Sequence, residues 1–275
     1  MCIAYLSIGH PDWPLRIAAN RDEFHVRPTM AAGPWPERPG VIAGRDLTAG
    51  GTWLGWTAGG RFALLTNYRE PGLPVPSGAP SRGVLVRDYL LGTDSAADHV
   101  RAIARHAGDW AGFNLIVGAP GDVWYLCNRD PAGAPRRLRQ GNYVLSNHLL
   151  DTPWPKARRL RATLDTLPAD QWVQDPEQVF ALLHDTTQAD TRDLPETGLS
   201  LAREQLLSSP FIISPDYGTR CSTIIVAGAD GHALFSELSY DAAGLPTGRQ
   251  DWRVPTMAGL PSAPCPSGAE SESAR

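Results

Sequence analysis

The residues best suited to chemistry stand at the start of the chain, where Cys2 follows Met1 and leads into the apolar run 3–8. Removal of Met1 would place a thiol and a free α-amine on one residue. Because the amine titrates at about 7.7–8.0 and the thiol at about 8.5, the amine can take the thiol proton near neutral pH. Cys2 is therefore a candidate nucleophile that carries its own base, or else a cysteine that simply packs as a small apolar side chain.

A second group of polar residues, 20–23, lies at the tip of the next apolar, strand-like run. Arg21, Asp22 and Glu23 are formally charged, and burying such groups is costly unless each finds a partner. A functional cleft at the strand end would supply these partners. Neighbours on a strand point to opposite faces, so only one of Arg21 and Asp22 is expected to face the Cys2 thiol.

Two asparagines, Asn67 and Asn147, each follow a strand-like run. A side-chain amide aimed into a cleft can donate to a developing oxyanion, a contribution worth about 3–4 kcal/mol in hydrolases. The alternative for Asn67 is an ordinary turn residue. His148 could act as a base, but we interpret it as structural because the amine of Cys2 would fill that role.

Several separated motifs resemble those of one protein family, in the same order. They are Cys2, residues 20–23, 50–55, 65–68, 145–147 with 152–154, and 217–220. On these motifs the chain resembles the NRDE family, whose eukaryotic members are called transport and Golgi organization protein 2. The resemblance implies a fold like that of N-terminal-nucleophile (Ntn) hydrolases and a link to Golgi organisation, to lipid and acyl-CoA metabolism or to haem trafficking.

A more distant resemblance implies a mechanism. Cysteine Ntn amidases such as bile-salt hydrolases and penicillin V acylases begin Met-Cys. They use an arginine and an aspartate near the end of the second strand, two asparagines on later strands and a late arginine. Those amidases separate the arginine and the aspartate by two residues, whereas here the two are adjacent. The similar residues of this chain are Cys2, Arg21, Asp22, Asn67, Asn147 and Arg220.

This likeness implies roles for the six catalytic candidates. The cysteine would attack an amide or thioester carbonyl, and the two asparagine amides would hold the oxyanion. One member of the adjacent arginine–aspartate pair would position the amine and the thiol, and the late arginine would close the site as a charge partner. Substrate contacts are expected from other residues of the same motifs, namely Asn20, Glu23, Trp53 and Thr66.

Composition limits the function classes. A hydrophobic content of 42% and a charged content of 20% are typical of an ordinary globular chain able to bury a core. The net charge of −4 gives no electrostatic reason to expect nucleic acid or a membrane surface as partner. Lys156 is the only lysine, which we attribute to genome composition. No run reaches 18 apolar residues and no signal-peptide pattern is present, so we expect a cytoplasmic protein without a membrane segment.

The four cysteines, Cys2, Cys127, Cys221 and Cys265, lack metal-type spacing and fit a reducing compartment. No phosphate-binding loop, serine-esterase elbow or zinc-protease motif is present. We therefore expect neither a metal nor another cofactor in the reaction. The oligomeric state is open.

The predicted elements alternate between blocks of strands and blocks of helices. Strands are expected at 2–8, 15–21, 41–44, 52–57, 62–66, 113–117, 123–127, 143–146, 221–227 and 233–238. Helices are expected at 81–91, 95–107, 152–167, 175–183 and 200–207, with a capping box at the start of the fourth. Residues 27–40 are too rich in proline for regular structure and are expected to form a loop at the cleft mouth.

This order predicts an α+β fold in which two mainly antiparallel sheets stack face to face with helices outside. The family resemblance makes that a four-layer αββα sandwich like that of Ntn hydrolases. Residues 1–254 are predicted to form one domain. Residues 255–275 consist largely of Pro, Ser, Gly, Ala and Glu, and are predicted to be a disordered tail.

The functional prediction is a cysteine Ntn hydrolase that acts on an amide or thioester of a small acylated metabolite. The competing prediction is a non-catalytic carrier on the same scaffold for an apolar ligand such as haem or an acyl-CoA. In that case the chain would share the fold of the family but would not catalyse a reaction.

Overall fold

The structure is a computed structural model that describes residues 2–256. Its strands are β1 (Cys2–Ile8), β2 (Leu15–Phe24), β3 (Thr29–Trp35), β4 (Arg38–Asp46), β5 (Leu54–Thr57), β6 (Phe62–Asn67), β7 (Phe113–Ala119), β8 (Asp122–Cys127), β9 (Arg136–Leu138), β10 (Gly141–Leu145), β11 (Tyr217–Ala227), β12 (His232–Tyr240) and β13 (Pro246–Pro255). Its α-helices are α1 (Gly83–Leu91), α2 (Ala96–Ala104), α3 (Pro155–Thr166), α4 (Gln171–Gln174), α5 (Pro176–Leu183) and α6 (Leu201–Leu206).

The strands form two antiparallel sheets. The first sheet has the order β10-β1-β2-β11-β12-β13, and the second has the order β3-β4-β5-β6-β7-β8-β9. In the first sheet, β1 and β2 are a hairpin in which Cys2 lies opposite Arg21. The other edge of β2 pairs with β11, which brings the beginning and the end of the chain together.

Three apolar clusters define the layers. The largest lies between the sheets and includes Leu6 and Ile17 from the first sheet and Trp56, Leu64 and Ile116 from the second. Another cluster packs α1 and α2 against the outer face of the second sheet. A third packs α3, α4 and α5 against the outer face of the first. This layering confirms the predicted αββα sandwich.

Serine caps account for the starts of two of the helices. Ser95 precedes α2 and accepts a hydrogen bond from the backbone N–H of Asp98, and Ser200 caps α6 in the same way. The capping box predicted for α5 is wrong, because the Asp175 side chain makes no capping hydrogen bond. The short helix α4 ends at that residue, so its backbone continues from one helix into the next.

The prediction of a loop at residues 27–40 is wrong, because this stretch contains β3 and the start of β4. Proline is tolerated there for a positional reason. The strand β3 is the edge of the second sheet, so Pro34 needs no N–H for a further neighbour, and the register shifts between Pro34 and Trp35. Trp35 is a buried core residue whose indole N–H donates to the carbonyl of Ala43.

The end of the described chain also differs from the prediction. Residues 246–255 form β13 along β12, and the backbone N–H of Thr256 donates to the carbonyl of Gly231. Most of the predicted tail, residues 257–275, lies outside the described residues. None of the helices within residues 2–256 has the length and apolar character needed to cross a bilayer.

Candidate active site

The Cys2 thiol lies on the face of the first sheet that meets the second sheet. Ala4, Leu6 and Ile8 belong to the cluster between the sheets, and side chains alternate along a strand, so Cys2 shares their face. The residue is half-buried, and its carbonyl accepts a hydrogen bond from the Ser146 hydroxyl at 3.3 Å. The thiol therefore lies at one end of the sandwich core.

Arg21 and Asp22 point to opposite faces of the same sheet. Ile17 and Ala19 contact the core between the sheets, and Ala18 contacts the helices. By alternation, Arg21 shares the thiol face and Asp22 shares the helix face. Arg21 is therefore the member of the adjacent pair that faces the Cys2 thiol.

Each member of this pair has its own partners. The Arg21 guanidinium lies over the Trp53 ring, 4.3 Å from the centroid. On the other side of the sheet, a carboxylate oxygen of Asp22 accepts a hydrogen bond from the Thr219 hydroxyl at 2.7 Å. The backbone carbonyl of Asp22 accepts from the Tyr217 hydroxyl at 3.0 Å. Both side chains are thus held in place from opposite sides of β2.

A polar cavity of about 130 Å³ opens beside the thiol. Its walls come from the ends of β1, β2, β4 and β6, from the β2–β3 connection, from the loop before β5 and from the start of α1. The residues that line it are Cys2, Arg21, Asp22, Glu23, Arg27, Asp46, Thr52, Trp53, Leu65, Asn67, Ser81, Arg82 and Gly83. The cavity therefore collects chemistry-bearing residues from six separate stretches of the chain.

The charges in this cavity are partly paired. Arg27 binds Asp46 at 2.6 Å, whereas Arg21 and Glu23 are 3.9 Å apart. Arg82 carries its charge beside the cavity and donates to the backbone carbonyl of Gly112 at 2.8 Å. Among the described residues, the Nη1 atom of Arg21 is buried and has no hydrogen-bond partner. The cavity wall thus holds a donor that a bound acceptor atom could satisfy.

Burial has the largest effect on the pKa values of Cys2 and Asp22. It raises the pKa of the Cys2 thiol, while the Arg21 guanidinium and the backbone N–H of Asp22 act in the opposite direction. It also raises the pKa of the Asp22 carboxyl, against which the neighbouring Lys156 ammonium and the Thr219 hydroxyl act. A thiol with a raised pKa is neutral at pH 7, so its ionisation requires a base nearby.

The two predicted oxyanion donors occupy different environments. Asn67 ends β6 and lines the cavity, and its side chain makes no hydrogen bond within residues 2–256. Asn147 is completely buried and does not line the cavity. Its side-chain N–H donates to the backbone carbonyl of Asn67 at 3.0 Å. Its side-chain oxygen accepts from Ser146 at 3.2 Å and from Lys156 at 3.5 Å. Asn147 therefore supports Asn67 and does not itself face the cavity.

The structure does not bring Arg220 into the cavity. Its Nη1 donates to the backbone carbonyls of Phe24, His25 and Arg27 at 3.1, 3.2 and 3.4 Å. These carbonyls belong to the last residue of β2 and to the connection between β2 and β3. The predicted role of Arg220 as a charge partner at the thiol is thus replaced by a structural one, in which it holds the loop that carries Arg27.

The four predicted substrate contacts divide into two pairs. Glu23 and Trp53 line the cavity. Asn20 lies on the helix face, where its amide N–H groups donate to the backbone carbonyls of Leu183 and Pro210. Thr66 is completely buried and donates to the carbonyl of Ser146 at 2.5 Å. Neither Asn20 nor Thr66 lines the cavity, because both are engaged in packing the layers together.

Sequence reasoning missed two features of the site. Arg82 lines the cavity because the N-terminal end of α1 lies against it, and no local motif indicates that contact. Lys156 is buried on α3 and interacts electrostatically with both Asp22 and Cys2. Its signal was present in the sequence, since the chain has no other lysine, but an arginine-rich composition produces the same pattern. His148 bonds Thr152 outside the cavity, consistent with its structural interpretation.

Comparison with known proteins supports the motif assignment. A sequence profile of the family described as Transport and Golgi organisation 2 matches residues 1–242. The chain is 35% identical over 262 residues to the Transport and Golgi organization protein 2 homolog of Bos taurus, covering 87% of this chain and 93% of that protein. It is 32% identical over 261 residues to the Homo sapiens homolog, with the same two coverages.

Similarity to solved structures is weaker. The chain resembles the Caenorhabditis elegans N-acylethanolamine-hydrolyzing acid amidase ortholog with a TM-score of 0.47 and 13% sequence identity. The superposition covers 82% of this chain and 92% of that chain.

Proposed function

This chain belongs to the Transport and Golgi organisation 2 family, and from that premise and the geometry of the cavity we propose that it is a cysteine N-terminal-nucleophile hydrolase. The observation that carries the proposal is the placement of Cys2. Its thiol shares a cavity with Arg21 and Asn67, and Asp22 lies one residue further along the neighbouring strand.

In the proposed reaction, removal of Met1 leaves the α-amine of Cys2 free. The amine takes the proton of the thiol, directly or through a water, and the thiolate attacks the carbonyl carbon of an amide or thioester. The Asn67 side-chain amide, with nearby backbone N–H groups, donates to the oxyanion that forms. The leaving amine or thiol departs with the proton, and water then hydrolyses the acyl-cysteine. Burial raises the pKa of this thiol, which makes the adjacent base necessary.

Arg21 and Asp22 have complementary roles in this proposal. Arg21 lies on the thiol face, where its charge favours the thiolate. Asp22 lies at the other face beside the backbone of Cys2, where a carboxylate suits the amine. The two adjacent residues would thus serve the two functional groups of one nucleophile.

The cavity also favours a class of substrate. A volume of about 130 Å³ accommodates the scissile carbonyl and a few neighbouring atoms, so the remainder of the substrate would extend outward. Arginines supply several of the polar groups in the wall, which favours a small acylated metabolite with polar groups next to the carbonyl. We place the protein in the cytoplasm as part of this proposal, because a reducing compartment protects the Cys2 thiol from oxidation.

The competing function, a carrier for haem or an acyl-CoA, has less support from the geometry. No histidine lines the cavity within residues 2–256. The volume is also smaller than the roughly 300–1,000 Å³ of pockets that enclose a drug-sized ligand. We therefore rank binding without catalysis second and let the same experiment distinguish the two.

The test begins with intact mass of protein expressed without an N-terminal tag, followed by haloacetamide labelling across pH 5 to 9 with peptide mapping. We expect the mass to lack one methionine and Cys2 to react faster than the buried Cys127. A panel of N-acyl and thioester substrates should then give an acyl adduct on Cys2.

The matched variants are Cys2→Ala, Cys2→Ser and Cys127→Ala. We expect Cys2→Ala to abolish turnover and Cys127→Ala to retain it, because the second thiol is buried away from the cavity. Full turnover in both Cys2 variants would refute the proposal. Retained Met1 with an unreactive Cys2 would also refute it and would direct attention to haem and acyl-CoA binding.

A further inference from the structure

Lys156 occupies an unusual position for a lysine. It is the second residue of α3 and is 1% exposed, whereas Arg158 of the same helix is exposed to solvent. A buried ammonium loses its hydration, so it persists only where anionic or polar groups compensate for that loss. The only lysine of the chain is therefore placed where its charge must interact with particular neighbours.

The charged neighbours come from three other elements and one loop. Lys156 interacts electrostatically with Asp22 of β2, Cys2 of β1, Glu204 of α6 and Arg69, which follows β6. The direct contact is with the Asn147 side-chain oxygen at 3.5 Å.

The carboxylate of Glu204 already has a cationic partner. The Nη1 atom of Arg69 binds it at 2.5 Å, and the backbone N–H of Thr197 donates to its other oxygen at 3.2 Å. With Glu204 neutralised by Arg69, Asp22 is the carboxylate whose charge balances that of Lys156.

Lys156 is linked to both halves of the candidate site, by an electrostatic interaction on one side and by hydrogen bonds on the other. On one side it acts electrostatically on Asp22. On the other side it donates to Asn147, whose N–H in turn holds the backbone carbonyl of Asn67. Asn67 is the asparagine of this pair that lines the cavity. One buried cation thus acts electrostatically on Asp22, which supports the nucleophile, and contacts Asn147, which supports the oxyanion donor.

We propose that Lys156 is a positioning residue of the Cys2 site, which keeps Asp22 ionised so that this carboxylate accepts a hydrogen bond from the α-amine of processed Cys2. This inference rests on the proposed function. The Arg21 guanidinium also favours the Asp22 carboxylate, but more weakly than the Lys156 ammonium does. A buried carboxyl that loses its stronger cationic side chain binds a proton more readily and then donates where it should accept. The amine would lose its orientation, and its lone pair would no longer point toward the thiol.

Lys156 is not itself placed to act as the base. It approaches from the helix side of the first sheet, where Asp22 lies, and the Cys2 thiol points to the opposite face. Its effect therefore passes through Asp22 and Asn147. If the Lys156 ammonium only filled space, its pKa would not depend on the charge of Asp22. A titration of Lys156 can therefore test the proposal.

The absence of other lysines makes a direct measurement feasible. In full-length protein labelled with ¹⁵N-lysine, Lys156 gives one side-chain resonance, which can be titrated with pH. We expect Asp22→Asn to lower the Lys156 pKa by about one unit or more, because a neighbouring carboxylate stabilises the ammonium. An unchanged titration in folded Asp22→Asn protein would overturn the inference, and this arm does not require a Lys156 variant to fold.

The second arm follows the pH dependence of Cys2 alkylation and of turnover. Lys156→Met should shift the alkylation midpoint upward, reduce the rate at pH 7 about tenfold and lower kcat with little change in KM. Asp22→Asn should also lower kcat with little change in KM, and the kcat of the double variant should match that of Asp22→Asn alone. Additive effects, or an unshifted midpoint in folded Lys156→Met, would overturn the inference.

The matched control is Arg16→Met. Arg16 is also a buried cation on the helix face of β2, where it donates to the Ser7 hydroxyl. It lies about 20 Å along the strand from Asp22, at roughly 3.3 Å per residue, so its removal should leave the Cys2 midpoint unchanged. A shift of equal size in this control would show that any lost buried charge has the effect, which would also overturn the inference.

The two proposals fail in distinguishable ways. If Cys2 hydrolyses substrates but Lys156 does not respond to Asp22, the role of Lys156 is wrong and the hydrolase stands. If Lys156 responds to Asp22 but Cys2 is neither processed nor acylated, the hydrolase is wrong, and with it the catalytic purpose of the pair.

Discussion

At the scale of single residues, the site separates side chains that look equivalent in the sequence. Asn67 and Asn147 both follow a strand and both belong to family motifs. Asn67 lines the cavity, whereas Asn147 is completely buried and uses its amide to hold the Asn67 backbone. Arg21 and Arg220 differ in the same way, since Arg21 lines the cavity and Arg220 anchors a loop.

The asparagine pair provides a test at this scale. Asn67→Ala should reduce kcat by about 10²–10³, the loss typical of one oxyanion donor, and should change the free energy of unfolding by less than about 0.5 kcal/mol. Asn147→Ala should instead lower the free energy of unfolding by about 1–3 kcal/mol, because it leaves buried polar groups without partners. The measurements are steady-state kinetics and urea unfolding of both variants. The reverse pattern would mean that we have assigned the oxyanion donor to the wrong asparagine.

At the scale of elements, the cavity depends on how α1 sits against the loop before β5. The backbone N–H of Thr52 donates to the carbonyl of Gly83, the first residue of α1, at 3.1 Å. A Cβ atom on Gly51 would lie 2.5 Å from the Gly83 carbonyl carbon. Glycine at position 51 therefore permits two backbones to meet where the cavity wall is formed.

Gly51→Ala should separate the two backbones. Because backbone atoms have little freedom to move aside, we expect a loss of about 1–3 kcal/mol in the free energy of unfolding, and lower turnover as Arg82 moves away from the thiol. Gly33→Ala is the matched control, since Gly33 lies in the edge strand β3 and a Cβ atom added there would meet no other atom within 4 Å. The measurements are urea unfolding and steady-state kinetics of both variants. Equal effects of the two substitutions would refute this account of the wall.

At the scale of the whole molecule, the fold buries the Lys156 ammonium, and this burial makes the free energy of unfolding depend on pH. Burial lowers the pKa of Lys156 from 10.5 to about 8, whereas the unfolded chain exposes the ammonium to water. Between these two values the unfolded state binds more protons than the folded state. The free energy of unfolding therefore rises as the pH increases from about 8 to 10.5. The same increment is lost as the pH falls from 10.5 to about 8.

The size of this effect follows from the difference in pKa between the two states. A depression from 10.5 to about 8 corresponds to roughly 3 kcal/mol. We expect the free energy of unfolding of the wild type, relative to Lys156→Met, to increase by about this amount between pH 7.5 and 10.5. Cysteines and tyrosines that are buried in the folded state titrate in this window once the chain unfolds, but they occur in both proteins, so the comparison cancels them. A constant difference across this range would show that Lys156 titrates normally.

The sequence by itself determined the features that depend on local physics. Alternating strands joined by short turns specified the hairpins, and these predicted two antiparallel sheets with helices outside. Cys2 meets Arg21 because β1 and β2 form one hairpin, whose register a short turn sets. Family motifs then pointed to Asn67, Glu23 and Trp53, all of which line the cavity.

Only the tertiary structure decided which candidates face the cavity, because burial depends on residues distant in sequence. Four of the candidates make contacts between layers and loops and do not line the cavity, namely Asn147, Arg220, Asn20 and Thr66. The proline-rich strand β3 is tolerated because it is a sheet edge, a property that arises only when the sheet is assembled. Lys156 reaches Asp22 because α3 packs across the outer face of the first sheet, and its charge matters there because that packing excludes water.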